Sequence, residues 1–210
     1  VSLIELVKVS KKVKGQTLLN EVSLTIEGGE IAVFEGINGS GKTLILKAIL
    51  GLIKTTGQVK IKGQVLKAGE AFPVQAGIMI ESPSVIEEFT AKKNLALLAK
   101  LLPSVNDVQI NQLLTQFELP NTGSKRVRKF SLGMRQKLGI AQAMLGVSEL
   151  IILDEPTNAL DAESVDNLVE YIHQLNQQGS TFLIASYDRE FVAQVATRKF
   201  MVKAGQVNEA

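Results

Sequence analysis

The chain has 210 residues, 45% of them hydrophobic, enough to bury one sizeable core and to make one domain with room for a subdomain. Lys and Arg total 23 against 21 Asp and Glu, a formal net charge of +2, which argues against nucleic acid as the main partner. With no cysteine there is neither a disulfide nor a thiolate metal site, a composition compatible with a reducing compartment.

The chain opens on Val1 rather than Met, as a trimmed chain would, and "VSLIELVKVSKK" lacks the long apolar core of a signal peptide. No apolar run is long enough for a bilayer; "NLALLA" is broken off by Lys92, Lys93 and Lys100, so we expect no membrane crossing by this chain alone.

The first third reads as strands. "NEVSLTIE" alternates polar and apolar residues, Gly28-Gly29 make a turn, and "IAVF" is a short apolar run suited to a sheet core. A glycine-rich loop follows, then "TLILKAILGLI", long enough for a helix with Gly51 near its end. "GQVKIKGQV" alternates again and predicts a hairpin turning at Gly63. The middle third is helical: Leu95, Leu98, Ala99 and Leu102 share one helical face, and Ile110, Leu113, Leu114 and Phe117 another, punctuated by Pro103 and Pro120. Lys125, Arg126, Arg128 and Lys129 read as a solvated loop. The last third alternates strand and helix. "ELIILDEP" is a buried strand with a breaker, Val165, Leu168, Val169 and Ile172 stripe a helix that Gly179 ends, and "STFLIAS" is a further strand. That order implies a parallel sheet with crossover helices.

The chemistry concentrates in "GINGSGKT", residues 36–43, which fits G-x-x-x-x-G-K-[ST] between a predicted strand and a predicted helix. Backbone N–H groups can converge on phosphate oxygens only where side chains do not obstruct, and Gly36, Gly39 and Gly41 remove them. Lys42 brings a positive charge to the β- and γ-phosphates and Thr43 a hydroxyl to Mg²⁺. The candidate nucleotide set is therefore Asn38, Gly39, Ser40, Gly41, Lys42 and Thr43. In "LIILDEP", Asp154 ends a buried strand, where ligands of open α/β sheets gather, and can hold Mg²⁺ through water; Glu155 can polarise an attacking water. Together the two motifs predict a P-loop NTPase.

Between them, "FSLGMRQKLGIAQAML" resembles the signature of ATP-binding cassette (ABC) ATPases, usually LSGGQ. Ser131 and Gly133 match; Leu132 and Met134 depart, in a form similar to that of peptide-antibiotic resistance and immunity exporters. "DEPTNALD" resembles the family's D-loop, ending at Asp161. The resemblance implies an α/β fold with a RecA-like parallel sheet core, an N-terminal antiparallel β subdomain, and a helical subdomain at about 84–145 in a single domain spanning 1–210. It implies ATP and Mg²⁺, a second ABC ATPase domain whose ATP faces Ser131, Gly133 and Asp161, and membrane-spanning permease subunits. It also implies a cytoplasmic place on the inner face of the membrane, held there by the permease, and, with the short stretch after Asp188, no C-terminal regulatory domain.

Three positions depart from the pattern the resemblance implies. Glu81 stands where the family has a Gln reaching Mg²⁺ and water; a carboxylate can also ligate Mg²⁺. Val13 stands where an aromatic stacks on adenine, which predicts weak base discrimination. Tyr187 follows Ser186 where a His contacts the γ-phosphate. The chain's one histidine, His173, lies in a predicted helix and reads as a surface residue. Three readings stay open: a transporter ATPase exporting a peptide antibiotic or similar amphiphile, a weakly hydrolysing regulatory half of a heterodimer, and a soluble ABC ATPase outside transport.

Overall fold

The computed structural model describes residues 2–67, 69–102, 104–120 and 124–210. Strands β1 (Ser2–Val13) and β2 (Gln16–Glu27) form a long antiparallel hairpin. Helix α1 (Lys42–Ile49) separates β3 (Ile31–Glu35) from β4 (Thr56–Ile61) and β5 (Gln64–Val65), the expected hairpin at Gly63. The first sheet runs β2-β1-β4-β5.

After β6 (Ala76–Met79) come helices α2 (Ala91–Ala99), α3 (Asp107–Gln116) and α4 (Leu132–Ala143), with a 3-10 turn at Val127–Lys129 before α4. Their starts follow from capping: Thr90 caps α2, Asn106 and Gln109 make a capping box on α3, and Ser131 caps α4. Leu95, Ile110, Leu113, Leu114 and Phe117 are buried, as their spacing predicts. Pro103 lies outside the described residues. The basic residues 125–129 keep exposed side chains around buried Val127.

Next come β7 (Leu150–Asp154), α5 (Ala162–Gln177), β8 (Thr181–Ser186), α6 (Arg189–Val195), β9 (Arg198–Lys203) and β10 (Gln206–Glu209). The second sheet has the order β10-β9-β3-β8-β7-β6. Its neighbours are parallel from β9 to β6, and β10 adds an antiparallel edge. α6, β9 and β10 carry no motif or periodicity from which the sequence predicts them. α1 is also shorter than the apolar run "TLILKAILGLI" implies, because the chain turns at Gly51 with φ of 68°.

β7 and β8 are buried at every residue, the condition for unbroken apolar runs. Alternate residues serve opposite faces. Ile151, Leu153, Phe182 and Ile184 pack with α2 to α6, whereas Leu150, Ile152, Leu183 and Ala185 pack with α1 and the first sheet. Each fully buried large side chain contributes about 1.5–3 kcal/mol. The register aligns Glu35 with Ser186 and Asp154 with Ala185. The glycine loop, Asp154-Glu155 and Tyr187 thus leave one edge of the sheet together, at its carboxyl end.

Candidate functional site

The glycine loop leaves β3 through a space with no room for a side chain. A Cβ on Gly36 would lie 2.4 Å from the Val202 carbonyl and 2.7 Å from Ser40 Oγ. The β9–β10 turn braces the loop from behind: Gly205 donates its N–H to Ser40 O at 3.0 Å, and its own carbonyl accepts from Asn20 N at 3.0 Å. Gly205 holds φ of 75°, and a Cβ there would lie 2.3 Å from Leu18 O, so this brace requires glycine. At the far end Gly41 caps α1 with no side-chain hydrogen bond, and the first turn carries no acid. A helix start left open in this way suits an anion.

Lys42 is buried. Its ammonium donates to Gly36 O at 2.6 Å and Ile37 O at 3.2 Å and lies 2.9 Å from Glu155 Oε1. Thr43 Oγ1 lies 3.1 and 2.9 Å from the two carboxylate oxygens of buried Asp154. Asp154 Oδ2 also accepts the Glu81 N–H at 3.2 Å. The Glu81 side chain turns the other way and pairs with Lys47 of α1 at 2.5 Å. Glu81 therefore presents its backbone, with φ of 61°, to the Asp154 carboxylate.

Glu155 is anchored by its N–H to Ala185 O at 2.8 Å, and its Oε2 accepts from Tyr187 N at 3.2 Å. Burial pushes its pKa above the usual carboxylate value, and Lys42 and the Tyr187 N–H pull it back only in part. A carboxyl raised in this way is suited to accept a proton. Tyr187 is half exposed. Its ring centroid lies 6.0 Å from Lys42 Nζ and its hydroxyl donates to Asn158 Oδ1 at 3.0 Å.

Ser131 and Asp161 use their side chains on their own helices, accepting from Met134 N at 3.2 Å and Ser164 N at 2.9 Å. Ser164 also holds the Asp161 carboxyl below its usual pKa. Gly133 lies against the D-loop, where a Cβ would come 2.6 Å from Ala159 O. Val13 stands at the β1–β2 hairpin tip, 42% exposed and paired with Gln16. His173 lies away from this cluster, with Nε2 3.0 Å from Gln194 O.

Gln136 is a site residue that the motifs do not reveal. It occupies the buried face of α4 with Gly139, Ile140 and Ala143. Its amide donates to Glu155 O at 3.1 Å and Pro156 O at 3.2 Å, tying the signature helix to the Glu155 backbone. The available signal was a carboxamide on an otherwise apolar helical face.

Among the described residues no group of three or more His, Cys, Asp and Glu could hold a metal. One hydroxyl and one carboxylate, Thr43 and Asp154, do fit Mg²⁺, which takes few protein ligands and completes its shell with phosphate oxygens and water. Ser40 Oγ and Glu155 Oε1 are buried without a hydrogen-bond partner among the described residues, which leaves bonding capacity unused at the glycine loop and at the end of β7. For Glu155 Oε1 the Lys42 contact is an ion pair outside hydrogen-bond angles.

A parallel sheet, a glycine loop opening a helix, and a Thr–Asp pair at the strand ends define a P-loop NTPase. The family model described as ABC transporter matches residues 19–158, and the chain belongs to that family. YybJ of Bacillus subtilis (strain 168), an uncharacterized ABC transporter ATP-binding protein, is 39% identical over 189 residues, 90% of this chain and 87% of its own length. The bacitracin transport ATP-binding protein BcrA of Bacillus licheniformis is 33% identical over 211 residues, 99% of this chain and 69% of its own. A dimeric structure of MJ0796, a bacterial ABC transporter cassette, superposes with a TM-score of 0.87 at 25% identity, over 99% of this chain and 97% of that one.

Proposed function

We propose that this chain is the ATP-hydrolysing subunit of an ABC transporter that exports a peptide antibiotic or similar amphiphile through separate membrane subunits. The observation that carries the ATPase reading is the pairing of Thr43 with both oxygens of Asp154, beside a Glu155 whose proton affinity burial has raised. The cargo reading is supported by the bacitracin transport relative and by the form of the signature.

The loop from Gly36 to Gly41 and the open start of α1 bind the triphosphate, and Lys42 exchanges its contacts with Gly36, Ile37 and Glu155 for phosphate oxygens. Thr43 and Asp154 would hold Mg²⁺, with the Glu81 carboxylate joining them on leaving Lys47. When bound, Mg²⁺ supplies Lewis-acid stabilisation of the phosphate oxygens. Glu155 orients water and takes up its proton. Ser131, Gly133 and Asp161 face the site of a second copy or a related ATPase. Large exposed side chains at both surfaces, Ile37 at 80% and Leu132 at 73%, fit being covered by that second domain.

Among the described residues no helix is long and apolar enough to cross a membrane. Permease subunits fit the groove of about 510 Å³ between edge strand β6 and helices α2 and α4, lined by Ile78, Ile80, Leu98, Leu101 and Leu145. Its apolar rim includes Leu101, which is 77% exposed.

The test is hydrolysis of ATP by the purified chain with Mg²⁺. Turnover in the wild type, and MgATP-dependent dimers without turnover in Glu155→Gln, are expected. A wild type that binds ATP and stays inactive even with its permease would instead favour the regulatory-half reading, which Val13 at the adenine position also supports.

A further inference from the structure

We infer that Tyr187 is a positioning residue: through its hydroxyl bond to Asn158 it fixes the loop from Glu155 to Asp161. The effect on turnover rests on the ATPase reading above; the effect on the loop rests on geometry alone.

Tyr187 meets this loop twice. Its main-chain N–H holds Glu155 Oε2 at 3.2 Å, and its hydroxyl holds Asn158 Oδ1 at 3.0 Å. Its own backbone is fixed on both sides, by buried Ser186 at the end of β8 and by Asp188, whose carboxylate caps α6 through the N–H groups of Glu190 and Phe191. The phenol therefore projects from a rigid turn to a loop that needs support.

That need is visible in the backbone. Glu155 and Ala159 hold φ of 48° and 61°, left-handed values that cost energy in residues other than glycine and persist only where the surroundings impose them. Within the loop, Asn158 N donates to Glu155 O at 3.2 Å and Leu160 N to Thr157 O at 3.1 Å. Gln136 secures the carbonyls of Glu155 and Pro156. The Tyr187 hydroxyl secures the segment beyond Pro156 through the Asn158 side chain. Just past Asn158, Ala159 O packs on Gly133 of α4. A shift of Asn158 thus reaches the Glu155 backbone on one side and the signature helix on the other.

The phenol hydroxyl is directed at a protein acceptor, so the γ-phosphate contact expected of this position is replaced by a hold on the loop. An imidazole at 187 is shorter than a phenol and does not extend to where this hydroxyl stands.

Two measurements test the inference. In the nucleotide-free protein, amide hydrogen exchange of peptides spanning 155–161 should quicken about threefold or more in Tyr187→Phe and in Asn158→Ala, no further in the double variant, and return toward the wild type in Asn158→Asp, which keeps an acceptor oxygen. Unchanged exchange in Tyr187→Phe overturns the inference whatever the enzyme does. In steady-state ATP hydrolysis, Tyr187→Phe and Asn158→Ala should each lower kcat by a similar factor, about three- to tenfold, at constant KM, with the double variant no worse than either. Losses that multiply, or a KM rise confined to Tyr187→Phe, would place the hydroxyl on the nucleotide and overturn the positioning role. A wild type without hydrolysis would sink the ATPase reading, and the exchange result alone would then decide this one.

Discussion

The ammonium of Lys42 lies 2.9 Å from Oε1 of Glu155, joining the glycine loop to the end of β7. The same ammonium donates to two carbonyls of its own loop. On the function proposed above, this contact ties the phosphate-binding cation to the residue that orients water, and nucleotide would displace it.

Replacing Glu155 separates its roles in stability and turnover. Burial raises its pKa, so the folded state binds the proton more tightly than the unfolded chain does. The stability this group contributes is complete below its unfolded value of 4.5 and is lost as pH rises through the higher folded value. Glu155→Gln is never charged. Its Tm should exceed the wild type's at about pH 7, and the difference should shrink as pH falls toward the unfolded value. Its turnover should fall by about 100-fold or more.

Gln136 touches the backbone of Glu155 and not its carboxylate. Gln136→Ala leaves the buried Pro156 carbonyl without its donor, takes one of two donors from the Glu155 carbonyl, and should cost about 1–3 kcal/mol in denaturant unfolding. In kinetics kcat should fall at nearly constant KM for ATP, because the glycine loop is untouched. A large KM change would show that the substitution had reached that loop.

Gly133→Ala tests the contact between signature and D-loop. The added Cβ would stand 2.6 Å from the backbone oxygen of Ala159, which cannot rotate away as a side chain could. We expect a loss of about 1–3 kcal/mol in unfolding and a fall in turnover.

Val13 is proposed to stand at the adenine. Comparable affinities of the wild type for ATP and GTP are expected, and Val13→Tyr should strengthen ATP binding by about 1 kcal/mol, close to fivefold. Titration of both nucleotides against both proteins decides the matter; a strong wild-type preference for ATP would refute it.

Tyr187→His restores the residue expected at this position but gives up the bond to Asn158. Turnover should fall by about three- to tenfold, as it would for the loss of a positioning hydrogen bond. A gain would mean that the tyrosine is a handicap.

The sequence by itself determined the class of the site. The glycine loop and the Asp154-Glu155 strand end are contiguous motifs, because a loop that wraps a phosphate and a strand that carries a carboxylate to a sheet edge are local demands on neighbouring residues. Amphipathic spacing likewise marked α2, α3 and α5, and Gly179 the end of α5. Only the tertiary structure decided the use to which Glu81, Gln136 and Tyr187 are put. Glu81 reaches Lys47 34 positions away, Gln136 reaches Glu155 19 positions on, and Tyr187 reaches back 29 positions to Asn158. β9 and β10 were equally hidden, although their turn at Gly205 braces the glycine loop. Such contacts form where the packed sheet brings separate segments to one edge, and chain spacing carries no signal of that meeting.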